Sequence, residues 1–250
     1  MRSIVGLRLV SSLEKVQAAP VLATVQRLEQ RIEARFPGRG LHRVVGQLAD
    51  LVSEVASSTE SARGRRSWLR PASRIGILAV LAATLALLVL AVRAAVADAP
   101  DQGLEWVPLL ESGVNDLVFA ALAIWFLYSV PERLQRAGLL DLLHRLRSMA
   151  HIVDMHQLTK DPERLRSSFS PTERSVPMDL DPDELEHYLD YCSEALSLIG
   201  KAAALCAEES RDAIVLDTVS TVETLTVSLE RKIWQKISIL NAGRGPSGAA

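Results

Sequence analysis

Glycine and aromatic residues are scarce in this sequence. There are 13 glycines in 250 residues, and Phe, Trp and Tyr together make up 4%. The glycines fall mostly at breaks between apolar runs, so none builds a phosphate-cradling loop. A nucleophile elbow and an H-E-x-x-H helix are also missing. The expectation is a protein that is not an enzyme and needs no cofactor. So few aromatics leave no base-stacking surface, and nucleic acid is not an expected partner. Cysteine is rarer still: Cys192 and Cys206 stand 14 residues apart with no histidine at ligand spacing. That is no zinc site; in a reducing compartment both are expected as small core residues. Lysine gives way to arginine, 5 against 23, and alanine is abundant. Such a composition is associated with GC-rich bacterial genomes.

What the chain does have is two long apolar runs. Ile75–Val92 holds 18 residues without a charge. At about 1.5 Å per residue that is roughly 27 Å of helix, close to the thickness of a bilayer core. The second run, Val114–Val130, extends back towards Trp106. In lipid every backbone polar group must be satisfied within its own segment, so each run is expected to be a transmembrane helix. The expected spans are about 75–97 and 108–130. Trp68 at one end and Trp125 and Tyr128 at the other match interfacial aromatic belts. Pro131 is expected to end or kink the second span.

Charge is distributed to suit such a hairpin. Residues 1–74 carry 13 Lys and Arg against 6 Asp and Glu, whereas 75–131 carry 1 against 5 and 132–250 carry 14 against 19. Arg63, Arg65, Arg66, Arg70 and Arg74 precede the first run; Arg133, Arg136, Arg145 and Arg147 follow the second. Asp98, Asp101 and Glu105 lie between them. The positive-inside rule then places both ends in the cytoplasm and the acidic loop outside. The Arg63–Arg74 cluster is also a candidate contact for anionic lipid of the bilayer.

The flanks read as amphipathic helices. Residues 1–19 lack the apolar core and cleavage site of a signal peptide and can form a short amphipathic helix through Ile4, Leu7 and Val10. Val21, Val25, Leu28, Ile32 and Phe36 recur at helical spacing, as do Leu41, Val44, Val45, Leu48, Leu51, Val52 and Val55. Pro37–Gly40 separates them, so residues 1–66 are expected to form a helical hairpin, with polar Ser57–Arg66 as a linker. After Pro131, Leu139, Leu142, Leu146, Met149, Val153 and His156 form a heptad-like seam. Asp161–Leu180 is a proline-containing connector. Asp181-Pro182-Asp183-Glu184 is a helix start with an Asp N-cap, Pro at the first position and acid near the positive dipole end. Leu185, Leu189, Cys192, Leu196, Ile199, Ala203 and Cys206 carry the next stripe. Val215, Val219, Val222, Leu225, Leu229, Ile233, Ile237 and Leu240 carry the last, before a flexible tail at 241–250. Three such helices over 132–240 are expected to bundle, either by themselves or around a core shared with the N-terminal hairpin.

Three clusters could carry chemistry or assembly. His151 and Asp154 share a helix face with His144 and are competent metal ligands. His144 and His151 are two turns apart, roughly 10 Å, so they cannot share an ion. Further ligands would have to come from Asp183, Glu184, Glu186 or His187, and the competing reading is a solvated face with His156 in the core. Glu111, Asn115 and Asp116 stand at the outer end of the second run. Asp116 can pair with Arg93 as a hairpin latch, or form the acidic mouth of an oligomeric pore. Gly76, Ala79, Ala83 and Ala86 permit close packing against the partner span or a second protomer.

The segments MAHIVDMHQLTKDPERL (149–165), YLDYCSEALSLIGKAAAL (188–205) and SLERKIWQKISIL (228–240) resemble parts of an uncharacterised family of bacterial two-span helical membrane proteins. The resemblance covers the C-terminal half, implies that 132–240 is one unit and implies no activity. The expected fold is thus all-α: a two-helix transmembrane hairpin (67–131) with a cytoplasmic helical bundle. The expected role is a non-enzymatic interaction or assembly protein, acting as a homo-oligomer or on a protein partner through 132–240. An oligomeric channel or membrane-perturbing effector, and a metal-dependent enzyme using His151 and Asp154, are the alternatives.

Overall fold

The structure is a computed structural model and describes residues 15–97, 106–165, 169–208 and 210–243, with side chains outside 58–70, 94–97 and 106–110. Among these residues it is all-helical. Five α-helices follow one another: α1 (Ala18–Arg35), α2 (Gly40–Ala97), α3 (Trp106–Leu158), α4 (Pro182–Glu208) and α5 (Ala213–Gly243). A short 3-10 turn, Pro162–Leu165, follows α3. The chain divides into two compact units, Met1–Thr59 with Gly138–Ala250, and Glu60–Ala137.

The first unit is a helical bundle with one core. Its largest fully buried side chains include Leu28, Leu48, Leu146, Leu196 and Ile233, one from each helix. Each such leucine or isoleucine, removed from water, contributes about 2 kcal/mol before conformational entropy is charged against it. The N-terminal hairpin therefore shares its core with the C-terminal helices. The division between this unit and the second falls at 59 and 137.

Helix α4 lies at the centre. Its predicted stripe, from Leu185 to Cys206, is wholly buried, and so are Tyr188, Tyr191, Ala195, Leu198, Ala202 and Leu205 beside it. A helix buried on so wide an arc must have neighbours on more than one side. On one side Phe36 of the α1–α2 turn meets Tyr188 and Tyr191 edge-on, with centroids 5.5 and 6.0 Å apart. Arg31 forms two hydrogen bonds with Glu194, 2.7 and 3.0 Å, so α1 runs antiparallel to α4. On another side Gly200 gives Thr226 of α5 room: a Cβ there would stand 3.1 Å from the Thr226 hydroxyl oxygen. Two turns are built by local chemistry. Gly38 adopts φ +75, a left-handed conformation that favours glycine, between α1 and α2. Asp181 and Glu184 form a reciprocal box: the Glu184 amide donates to Asp181 at 2.8 Å and the Asp181 amide donates to Glu184 at 3.1 Å.

Two expectations need correction and one is narrowed. Residues 57–66 are not a linker but part of α2; their alanine, glutamate and arginines are good helix formers, and a polar helix face needs no burial. Of the two outcomes expected at Pro131, an end or a kink, the end is excluded, since α3 continues to Leu158. The tail begins later than expected, because α5 includes Asn241–Gly243; residues 244–250 lie outside the described residues, as do 1–14.

The second unit brings together the apolar parts of α2 and α3. Both helices contain segments long and apolar enough to cross a membrane, Pro71–Arg93 and a stretch within Glu111–Leu165. No residue of either apolar window is buried. Leu78, Leu85 and Leu90 are each more than 60% exposed, as are Leu117 and Phe119. A helix that is apolar all round and uncovered has found no core of its own.

Candidate functional site

Two places gather chemistry: the contact between the apolar segments, and the end of the bundle where α3 stops. In the first, Ser73, Gly76, Ile77, Val80 and Thr84 form the half-buried side of α2, and Ala120, Ala123, Ile124 and Leu127 are half-buried on α3. The Ser73 hydroxyl donates to the Leu127 carbonyl at 2.8 Å. A Cβ on Gly76 would lie 3.3 Å from Leu127 Cδ1, so glycine sets the approach. Of the predicted small-residue stripe only Gly76 joins this contact; Ala79, Ala83 and Ala86 remain exposed. Near the same end, the Arg133 guanidinium lies 5.5 Å from the Trp125 ring centroid, and Tyr128 is 66% exposed. An arginine on an exposed tryptophan is the pairing expected at a lipid headgroup boundary.

Arg93 and Asp116 are both exposed, and no ion pair joins them among the described residues. Arg74 is exposed. Arg63, Arg65, Arg66 and Arg70 fall within α2, but their side chains lie outside the described ones, as do Trp68 and the loop acids Asp98, Asp101 and Glu105.

At the end of α3 the apolar seam finishes on a polar residue. Gln157 is 1% exposed, and it continues the stripe through Leu146, Ala150 and Val153. His156, assigned to that seam from spacing, is instead half-buried at its edge, with its ring against Gly40: a Cβ there would meet Cε1 at 2.5 Å. Lys236 of α5 donates from Nζ to the Gln157 carbonyl at 2.7 Å and to the Lys160 carbonyl at 3.2 Å. An ammonium on terminal helix carbonyls answers both the orphan acceptors and the negative end of the dipole. Burial lowers the Lys236 pKa, against the pull of Asp161 and Asp154. Lys160 reaches Asp179 at 3.1 Å, and Arg39 reaches the same carboxylate at 3.0 Å. These hydrogen bonds hold the Asp179 carboxyl below its ordinary range. The knot ties the α1–α2 turn, the end of α3 and α5 together, and it leaves the Gln157 Oε1 atom buried without a partner.

The histidine cluster is more dispersed. His144 and His151 are exposed, while Asp154 accepts a 2.6 Å hydrogen bond from Gln157 Nε2. Among the described residues no group of three or more His, Cys, Asp or Glu side chains is placed to hold a metal ion. Cys192 and Cys206 are free thiols in the core. Burial raises both, Cys206 up to about 12, so neither is a ready nucleophile at neutral pH.

Sequence reasoning missed Ser73, Gln157 and Lys236. Only Lys236 left a trace, as a charge beside an apolar stripe. Comparison with protein-family models, curated proteins and solved structures gives no match.

Proposed function

We propose that this chain is a two-span integral protein of a bacterial plasma membrane, with both ends cytoplasmic. It presents its helical bundle as a non-enzymatic interaction platform, to a second copy or to a protein partner. One observation carries the reading: no residue of either apolar window is buried, while the bundle core is complete without them. An uncovered apolar surface of that extent is unstable in water and suited to hydrocarbon. The arginines before the first span and after the second support the orientation.

The test has two arms. Flotation of the full-length protein with its own membranes, with cysteine accessibility at each end, reads insertion and orientation. Recovery in the soluble fraction, or an end exposed outside, would refute the membrane half. For the platform, Leu229→Asp places a charge at a position 3% exposed. Cross-linked neighbours captured by the native protein should be lost; their retention would count against the bundle as the docking element.

A further inference from the structure

Pro131 lies inside α3 and carries no backbone N–H. In an uninterrupted α-helix the residue at 131 would donate to the carbonyl four positions earlier, which is Leu127. That carbonyl is therefore orphaned within its own helix. It is the same carbonyl that accepts the Ser73 hydroxyl from α2 at 2.8 Å. Other hydroxyls of this unit bond locally: Thr84 donates to Val80 at 2.9 Å and Ser129 to Phe126 at 3.1 Å, each in its own helix. Ser73 reaches across instead. Gly76, one turn further along the same face, admits the Leu127 side chain.

We propose that Ser73 is the latch of the two-helix unit. Its hydroxyl substitutes for the amide that proline removes at 131, and it clamps α2 to α3 at the joint where α3 is weakest. Closed, the joint gives the Leu127 carbonyl a hydrogen-bond partner; open, that carbonyl loses it. The latch thus lies at the end of the spans opposite Arg93 and Asp116. It goes beyond the platform reading and requires only that α2 and α3 pack as they do.

The sequence supplies a selective probe. Of the three tyrosines, only Tyr128 follows a leucine. Labelling full-length protein with carbonyl-13C leucine and 15N tyrosine, in phospholipid nanodiscs, therefore gives one carbonyl–amide correlation, that of Leu127. Ser73→Ala should move this carbonyl carbon upfield, as loss of a hydrogen bond does. Ser73→Cys, a weaker donor of similar size, should give a smaller displacement the same way, and Ser73→Thr should keep the native position. In a Pro131→Ala background the restored amide at 131 holds the carbonyl, so Ser73→Ala should leave the resonance in place. The Tyr188 and Tyr191 amides report independently that the bundle is folded. No displacement with Ser73→Ala or Ser73→Cys, or equal displacement in both backgrounds, would overturn the latch. Failure of membrane insertion would show separately, as absence of the protein from floated membranes.

Discussion

His156 shows how one side chain records its packing. Its ring sits against Gly40, where no larger residue would leave it room. Burial, and then the charge of Lys160, lower its pKa from the ordinary 6.5. As pH falls below about 6.5, the unfolded chain takes up this proton before the folded one does. Stability linked to His156 is thus complete above that value and declines as pH falls towards the folded-state pKa. Thermal unfolding of the detergent-solubilised protein should show a transition temperature that drops between neutral pH and pH 5. His156→Gln should flatten that slope, and an unchanged slope in the variant would assign the effect to other groups. Lys236 is governed by the same desolvation but is compensated by its two carbonyl acceptors. None of this is written in residue spacing. His156 and Gln157 are neighbours in the sequence, and which one the core accepts depends on the exact phase with which α3 meets α2 and α5.

At the scale of single helices, most of the fold was legible. The stripes of α1, of the first part of α2 and of α4 are buried as their 3/4 spacing indicates. In α5 the core prefers Thr226 to Leu225, which is half-buried, and the Thr226 hydroxyl is satisfied by the Glu223 carbonyl at 2.9 Å. The helix start at Asp181 was legible in full, because its chemistry is local. Asp181→Ala should remove the hydrogen bond to the Glu184 amide and destabilise the bundle by about 1 kcal/mol. Chemical denaturation monitored by far-UV circular dichroism would measure it, and a loss near zero would mean that water caps the helix equally well. What was not legible depends on partners distant in sequence. Proline reads locally as a stop, yet α3 passes through Pro131, with Ser73 serving the carbonyl it frees. Ser73 and Leu127 are 54 positions apart, and no periodicity links them.

At the scale of the whole molecule, the two units differ in how they treat apolar surface, and the proposed function assigns them different solvents. The bundle buries its stripes internally, whereas residues 75–92 contribute nothing to that core. A mutation in the apolar segment should therefore affect insertion without affecting the bundle. Leu85 is 61% exposed and stands at the middle of the first apolar run. Leu85→Arg places a charge at the centre of the proposed span, which costs about 2.5–3.5 kcal/mol on insertion scales. Glycosylation mapping of the acidic loop should show a several-fold fall in the fraction with that loop translocated. Hydrogen exchange at the amides of Leu196 and Ile233, deep in the bundle, should remain within about 0.5 kcal/mol of native protection, as expected for distant, uncoupled sites. If bundle protection collapsed along with insertion, the two units would be one cooperative structure, and the membrane would be part of what holds the bundle together. If translocation were unaffected, the exposed apolar face would have to be covered by something other than lipid, with a second copy of the chain the first candidate to test by cross-linking.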